Sequence, residues 1–417
     1  MRRTALAAAA ALTLGGGLAT PAAAANDVLE PGAELYVNPH STTLEAAQDL
    51  EGDARADAEY LGSFSTAHWL TGESPRRARQ EAKRVVVQAH AEGSVPVLVA
   101  YNLPFRDCAQ YSAGGATSVE EYTAWIDEVA KGIGNKDAVV ILEPDGLGII
   151  PHYTAYDGTQ EWCRPEEADP ATAAAERFEM LGHAVDALAG LPNTAVYLDG
   201  THSGWLAVGD VTDRLLRAGV ERADGFFLNA SNYQYSANLE AYGRWISSCV
   251  ALVTQSGAEP SECGDQFWNG GPASDYEGVE MTAQQEWTSA PWGSVPHERN
   301  TVAVDSRYAE QLGDLEPETH FVIDSSRNGV GPWDVPEDYE DWCNPLDRGL
   351  GVRPTTQTGS DLLDAYLWIK VPGESDGECY RGTEGPLDPA RGIVDPPAGA
   401  WFPEMADELI DNAVPAP

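Results

Sequence analysis

Short apolar runs, rich in β-branched and aromatic residues, recur along this chain and alternate with stretches of helical spacing. The runs occupy residues 35–38, 95–101, 138–142, 195–198, 225–229, 320–324 and 366–370. Most are apolar without a break, which suits strands buried on both faces. Between two of them, residues 171–189 place Ala, Glu, Leu and Met at helical spacing, and Pro192 ends the pattern. Such alternation predicts a parallel sheet with crossover helices. Seven runs of this kind predict an α/β fold, a closed or nearly closed parallel barrel.

The first residues follow a different pattern. Arg2 and Arg3 precede an Ala-rich apolar run over residues 5–18, and small residues follow Pro21. This order predicts a secretory signal over residues 1–25, which takes no part in the fold. No later apolar run approaches the ~20 residues of a membrane span. A secreted, extracellular protein without a membrane partner is therefore expected. The remainder exceeds a soft prior of ~150 residues per domain, but α/β barrels often run longer as one unit. No Ser/Thr/Pro-rich linker divides it, so residues 26–417 are expected to form one catalytic domain.

The net charge of −41 argues against nucleic acid as a partner, because phosphates would be repelled, and suits a neutral substrate. Six cysteines in a secreted chain predict disulfides. Fifteen connectivities are open to them, neighbour with neighbour being the simplest. No pair has the spacing of a zinc site, and the histidines are scattered.

The residues that follow the predicted strands carry the chemistry. Tyr101 leads into Asn102-Leu-Pro-Phe-Arg-Asp107, Leu142 into Glu143-Pro-Asp145, and Leu198 into Asp199-Gly-Thr-His202 with Trp205 close behind. Ile323 leads into Asp324-Ser-Ser-Arg327, and Lys370 into Val371-Pro-Gly-Glu374-Ser-Asp376. In parallel α/β folds the C-terminal strand ends form the active face. A lone Asp there is as readily a helix cap or a surface turn; five loaded strand ends in succession point to a site. Crowded carboxylates raise one pKa and supply a protonated acid, as glycoside hydrolysis requires. Arg106, Arg327 and Lys370 would keep others ionised. Of 12 tryptophans, Trp205 and Trp342 stand beside polar loop motifs, where an indole can face a sugar. A nucleophile elbow, a P-loop and a dinucleotide fingerprint are all missing.

At these motifs the chain resembles glycoside hydrolase family 6, the inverting cellulases. Two segments look like the family's signatures: Val95-Pro-Val-Leu-Val-Ala-Tyr-Asn-Leu-Pro-Phe-Arg-Asp-Cys108 and Val139-Val-Ile-Leu-Glu-Pro-Asp-Gly-Leu147. Further matches begin at Tyr197, Asp324, Trp342 and Trp368. The resemblance implies a distorted parallel barrel with its site at the C-terminal mouth, acting on cellulose and cello-oligosaccharides as a monomer without metal or cofactor. It implies that Asp145 is the general acid and Asp107 its supporting carboxylate. Asp376 would be the acid often proposed as base, and Asp199 a further active-site carboxylate. Tyr101 and Arg106 would lie at the cleavage point. His202, Trp205, Asn229, Trp342, Lys370 and Glu374 match sugar-contacting positions, with Arg327 beside them. Ser112 falls in a loop that closes over the site in relatives. Tyr36 and Asn38 fall where relatives place a glucan contact, often Trp and Asp. Resemblance and spacing together pair Cys108 with Cys163, Cys249 with Cys263 and Cys343 with Cys379.

Many fungal relatives read D-A-G-H-A-G-W where this chain reads Asp199-Gly-Thr-His-Ser-Gly-Trp205, a form that looks like the bacterial exo-acting branch. Long segments at residues 377–399 and 254–299 would roof the cleft of a cellobiohydrolase that releases cellobiose from non-reducing chain ends. An endoglucanase on the same scaffold is the alternative. A non-catalytic carbohydrate-binding protein would need the aromatic platforms without the carboxylates.

Overall fold

The computed structural model describes residues 27–267, 280–336 and 339–416. The expected leader, residues 1–25, lies outside the described residues, as does part of the 254–299 segment.

The strands are β1 (His68–Leu70), β2 (Val97–Ala100), β3 (Ala138–Leu142), β4 (Thr194–Asp199), β5 (Gly225–Leu228), β6 (His320–Asp324) and β7 (Leu363–Leu367). They form one parallel sheet in the order β1 to β7. The α-helices are α1 (Thr42–Ala47), α2 (Gly52–Leu61), α3 (Pro75–Glu92), α4 (Val119–Ile133), α5 (Ala173–Ala189), α6 (Val208–Ala218), α7 (Ser236–Ala251), α8 (Val302–Leu312) and α9 (Pro403–Asp411). Local signals set their limits. Ser118 caps α4 by accepting from the Glu121 N–H at 3.2 Å, and Pro75 opens α3 where its missing N–H costs nothing. α3 ends at Gly93, whose φ of 72° suits a residue without Cβ.

Alternate residues of each strand face two different cores, as the period of two requires. Val97, Val99, Val139, Ile141, Ala195, Tyr197, Phe227, Val322, Ala365 and Leu367 form one inner cluster. Leu98, Ala100, Val140, Leu142, Val196, Leu198, Phe226, Leu228, Phe321 and Ile323 pack outward in a cluster with residues of α3 to α8. A sheet with a filled interior and helices outside is a curled α/β barrel, as predicted.

The first predicted strand is corrected. Leu35 makes a single bridge to Val95, and the chain turns into α1 just after Pro39, which has no N–H for a ladder. The first true strand is β1, three residues long. The seventh lies earlier than predicted, because the amides of Ile369 and Lys370 bond to the Asp324 carboxylate instead of a neighbouring strand. β1 and β7 share no ladder. The Ala67 N–H donates to the Trp368 carbonyl at 3.0 Å and the Trp69 indole to the Ile369 carbonyl at 2.9 Å. Leu61 of α2 and Met405, Ala406 and Leu409 of α9 cluster with Trp368 beside this seam.

Candidate active site

The C-terminal strand ends surround a cleft of about 1230 Å³. Backbone strain gathers at its rim: Asp107, Glu143, Asp145, Thr201, Asn229 and Ser231 all have φ between 56° and 71°. Positive φ in residues with a Cβ persists where surrounding bonds enforce it, and often marks functional turns.

Those bonds are visible around Asp145. Glu143 is buried, and its carboxylate accepts the Asn102 and Leu103 amides at 2.9 and 3.0 Å. Arg177, also buried, donates to the carbonyls of Gly146, Ile149 and Pro104 at 2.8–2.9 Å. It thereby locks the Asp145 turn to the segment after β2. Arg214 grips the same turn through the Leu147 and Gly148 carbonyls, at 2.8 and 3.2 Å. Asp199 accepts the Leu147 and Gly148 amides, both at 3.1 Å. The backbone that presents Asp145 is therefore held from several sides.

The Asp145 carboxyl itself accepts no hydrogen bond among the described residues, and it lines the cleft. Burial pushes its pKa well above the usual carboxylate range, and the charges of Asp199, Asp107 and Asp376 push it further. Asp107 lies beside it in the cleft wall, one oxygen accepting the Ser112 amide at 2.7 Å. Burial raises Asp107 to about 6, against the pull of that bond and of Arg106. Asp376 behaves oppositely. Burial would raise it, but Arg327 at 2.9 Å and Lys370 at 3.3 Å hold it below the ordinary value. The Tyr233 hydroxyl and the Asn344 amide, each at 3.1 Å, complete its shell. The site thus pushes one carboxyl toward its neutral form and another toward its ionised form, the separation that acid–base chemistry uses.

Of the residues singled out in the sequence, Asp145, Asp107, Asp376, Tyr101, Arg106, Ser112, His202, Trp205, Trp342, Lys370 and Glu374 line the cleft together. The Arg106 guanidinium covers the Tyr101 ring at 4.5 Å and donates to the Ser112 carbonyl at 2.9 Å. Burial lowers His202 to about 4, so it stands neutral beside Trp205. The Trp205 indole packs on Gly148, where a Cβ would come within 2.4 Å of the ring.

Five others do not line the cleft. Asp199 lies beneath the Asp145 turn, raised by burial to about 6. Asn229 shapes the turn after β5, donating to the Asp324 carbonyl at 2.8 Å and accepting the Gln234 amide at 2.9 Å. Arg327 is sealed behind Asp376. Asn38 accepts the His40 amide, and Tyr36 is buried in the outer core with its hydroxyl near Gln88. The segment that carries them meets the sheet at Leu35 and Val95, ahead of β2 rather than at its C-terminal end.

The structure adds residues that the sequence did not single out. Tyr233 and Asn344 complete the shell of Asp376, and Trp69 meets Tyr101 edge to face at 5.4 Å. Tyr111 accepts the Tyr380 amide at 2.9 Å, donates to Glu340 at 3.1 Å and approaches Trp342 at 5.9 Å. An aromatic beside Ser112 was the one available signal for it. The disulfides join Cys108 to Cys163, Cys249 to Cys263 and Cys343 to Cys379, the pairing that the resemblance and spacing imply. The first ties the Asp107 loop to the segment beyond Asp145.

Known proteins are similar to this chain in sequence and fold. Endoglucanase A of Cellulomonas fimi is 31% identical over 386 residues, which cover 92% of this chain; the chain spans only 62% of that protein's length. A probable 1,4-β-D-glucan cellobiohydrolase C of Aspergillus niger is 26% identical over 92% of this chain and 77% of its own. The solved endoglucanase Cel6 of Mycobacterium tuberculosis, in complex with a methyl-cellobiosyl thio-cellobioside, superposes with a TM-score of 0.64 at 30% identity. That match covers 93% of this chain and 99% of the other. The sequence profile of the glycosyl hydrolases family 6 matches residues 30–413, and with these relatives it places this chain in that family of glycoside hydrolases.

Proposed function

We propose that this protein is a secreted enzyme that hydrolyses the β-1,4-glucosidic bonds of cellulose and cello-oligosaccharides with inversion, releasing cellobiose from chain ends. Residues 26–417 form its catalytic domain. The observation that carries the reading is the Asp145 carboxyl, raised by burial and by three neighbouring carboxylates inside a cleft lined with indoles.

Asp145 protonates the leaving oxygen while water attacks the opposite face of the sugar. Breaking the bond leaves positive charge on the ring, which the ionised Asp376 stabilises. Asp107, its pKa raised to about 6, receives through an intervening water the proton that the attacking water loses. Asp199 acts through Asp145, by charge and by holding its turn. Neutral His202, Trp205 and Trp342 contact the sugar.

Chain-end action is supported by the contacts of Tyr111. They join the loop after β2 to the segments that follow β6 and β7, at the wall of the cleft that holds the carboxylates. Ala398 and Gly399 add to the wall. Within residues 377–399, Arg381 pairs with Asp388 at 2.7 Å, both side chains wholly buried, so the segment is firmly pinned. A chain entering such a channel threads from an end. The endo reading is favoured by the likeness to the endoglucanases of Cellulomonas fimi and Mycobacterium tuberculosis.

Hydrolysis of cellulose followed by NMR of the first product tests both points. The α-anomer of cellobiose is expected, ahead of any large fall in the viscosity of soluble cellulose. A β-anomer would overturn inversion; early viscosity loss would overturn chain-end action.

A further inference from the structure

Among the described residues, two large hydrophobic side chains are both exposed and part of the cleft wall: Trp162, 53% exposed, and Phe267, 37% exposed. Isolated exposed hydrophobics are ordinary on soluble proteins, so exposure alone assigns nothing. The mounting of Trp162 is what distinguishes it.

Trp162 sits on a hairpin between His152 and Cys163. The His152 amide donates to the Cys163 carbonyl and the Glu161 amide to the Tyr153 carbonyl, each at 2.9 Å. The Ala155 amide donates to the Thr159 carbonyl at 2.8 Å. The tip is an Asp157-Gly158 turn with Gly158 at φ 89°, a conformation that favours glycine. At its base, Cys163 is bonded to Cys108, the neighbour of Asp107. The side chain of Glu161, next to Trp162, meets Arg214 at 3.2 Å. The same Arg214 nitrogen holds the carbonyl of Gly148, on which the Trp205 indole rests. One buried guanidinium thus fixes the acid turn, the seat of Trp205 and the hairpin that carries Trp162.

An exposed indole carried on a hairpin held this firmly can offer its face to a ligand with little loss of backbone freedom on binding. The ligand it suits is flat, neutral and apolar on one face, because a net charge of −41 opposes acidic polymers. We propose that Trp162 is a rim subsite for β-1,4-glucan, a stacking platform beyond Trp205 that holds sugar units outside those next to Asp145. This proposal rests on the reading of the cleft as a glucan site.

The test is kcat/KM of the full chain and of Trp162→Ala and Trp162→Phe on cellotriose, cellotetraose, cellopentaose and cellohexaose. For the alanine variant the deficit should grow with length, reach about tenfold on cellohexaose and lie in KM rather than kcat. Phenylalanine should restore most of it. A deficit equal at every length, or none on cellohexaose, would overturn the rim subsite while leaving the glucan reading in place. A wild-type enzyme that cleaves none of the four would overturn the glucan reading, and the subsite with it.

Discussion

Arg327 donates to Asp376 across 2.9 Å with both side chains buried, whereas Asp145, which lines the same cleft, has no donor from the described protein. The two carboxyl groups therefore differ in protonation for a structural reason, and the difference sets the first expectations.

Asp145→Asn keeps the shape of the side chain but removes its transferable proton. Cellulose cleavage should fall by ~10²–10⁴-fold, the usual share of general acid catalysis. Oligosaccharide binding, measured by calorimetry, should persist. A substrate whose leaving group needs no protonation should be spared in part. Cleavage of cellulose at the wild-type rate would remove Asp145 from the role.

The pH profile follows from the same charges. Activity that needs a protonated Asp145 is lost as pH rises through its raised pKa. Asp107 is one of the negative neighbours that raise it. Asp107→Asn should therefore move the alkaline limb of kcat/KM to lower pH, besides reducing the rate. A limb that stays in place would show that Asp107 does not tune the acid.

Breaking a buried ion pair from one side leaves a charge without a partner. Arg327→Met should destabilise the fold by about 3–5 kcal/mol, read by urea unfolding at neutral pH. Lowering the pH should narrow the gap from wild type. In wild type the depressed pKa of Asp376 contributes stability above its unfolded value, and that stability is lost as pH falls through the folded one. A gap that is constant with pH would exclude this linkage.

At the opposite end of the barrel, β6 and β7 change register at Phe321/Val322, and Asp364 is the unpaired residue. Its carboxylate accepts the Tyr197 hydroxyl at 2.6 Å and bonds His320 at 2.7 Å. The bond to Asp364 raises the His320 pKa despite burial, and Asp224 adds to the rise. A raised folded pKa contributes stability that is full below the unfolded value of ~6.5 and is lost as pH climbs through the folded one. His320→Asn should lower the melting temperature more at pH 5 than at pH 8. The reverse order would contradict the pairing.

If residues 377–399 close the cleft, shortening them should open it. The variant should gain activity on carboxymethyl cellulose, whose substituents could then enter mid-chain, and lose its bias toward cellobiose. An unchanged product profile would make the segment a surface insertion.

Much of this was legible in the sequence because a buried parallel strand is an unbroken apolar run and the chemistry follows it directly. β2 to β6, with the acids after β2, β3 and β4, were recognisable on that ground. β1 was not, because His68-Trp69-Leu70 is too short and mixed to stand out. Residues 368–370 look like strand but take their partners from Ala67, just before β1, and from the side chains of Trp69 and Asp324, which no local pattern encodes. Asp199, Asn229 and Arg327 were found as site residues, but not their depth: a polar residue after a strand reads alike whether it meets substrate or braces the residue that does. Asn344 and Tyr233 serve Asp376 from distant loops, so only the folded chain reveals them.

The strands stand in the ring in the order in which they are made. The acid and its bracing turn belong to the third strand, while Asp376 arrives only after the seventh. During synthesis nearly the whole chain must emerge before the two meet in one site. A polypeptide that ended before the seventh strand would carry Asp145 and Arg327 but not Asp376, the carboxylate that Arg327 pairs with.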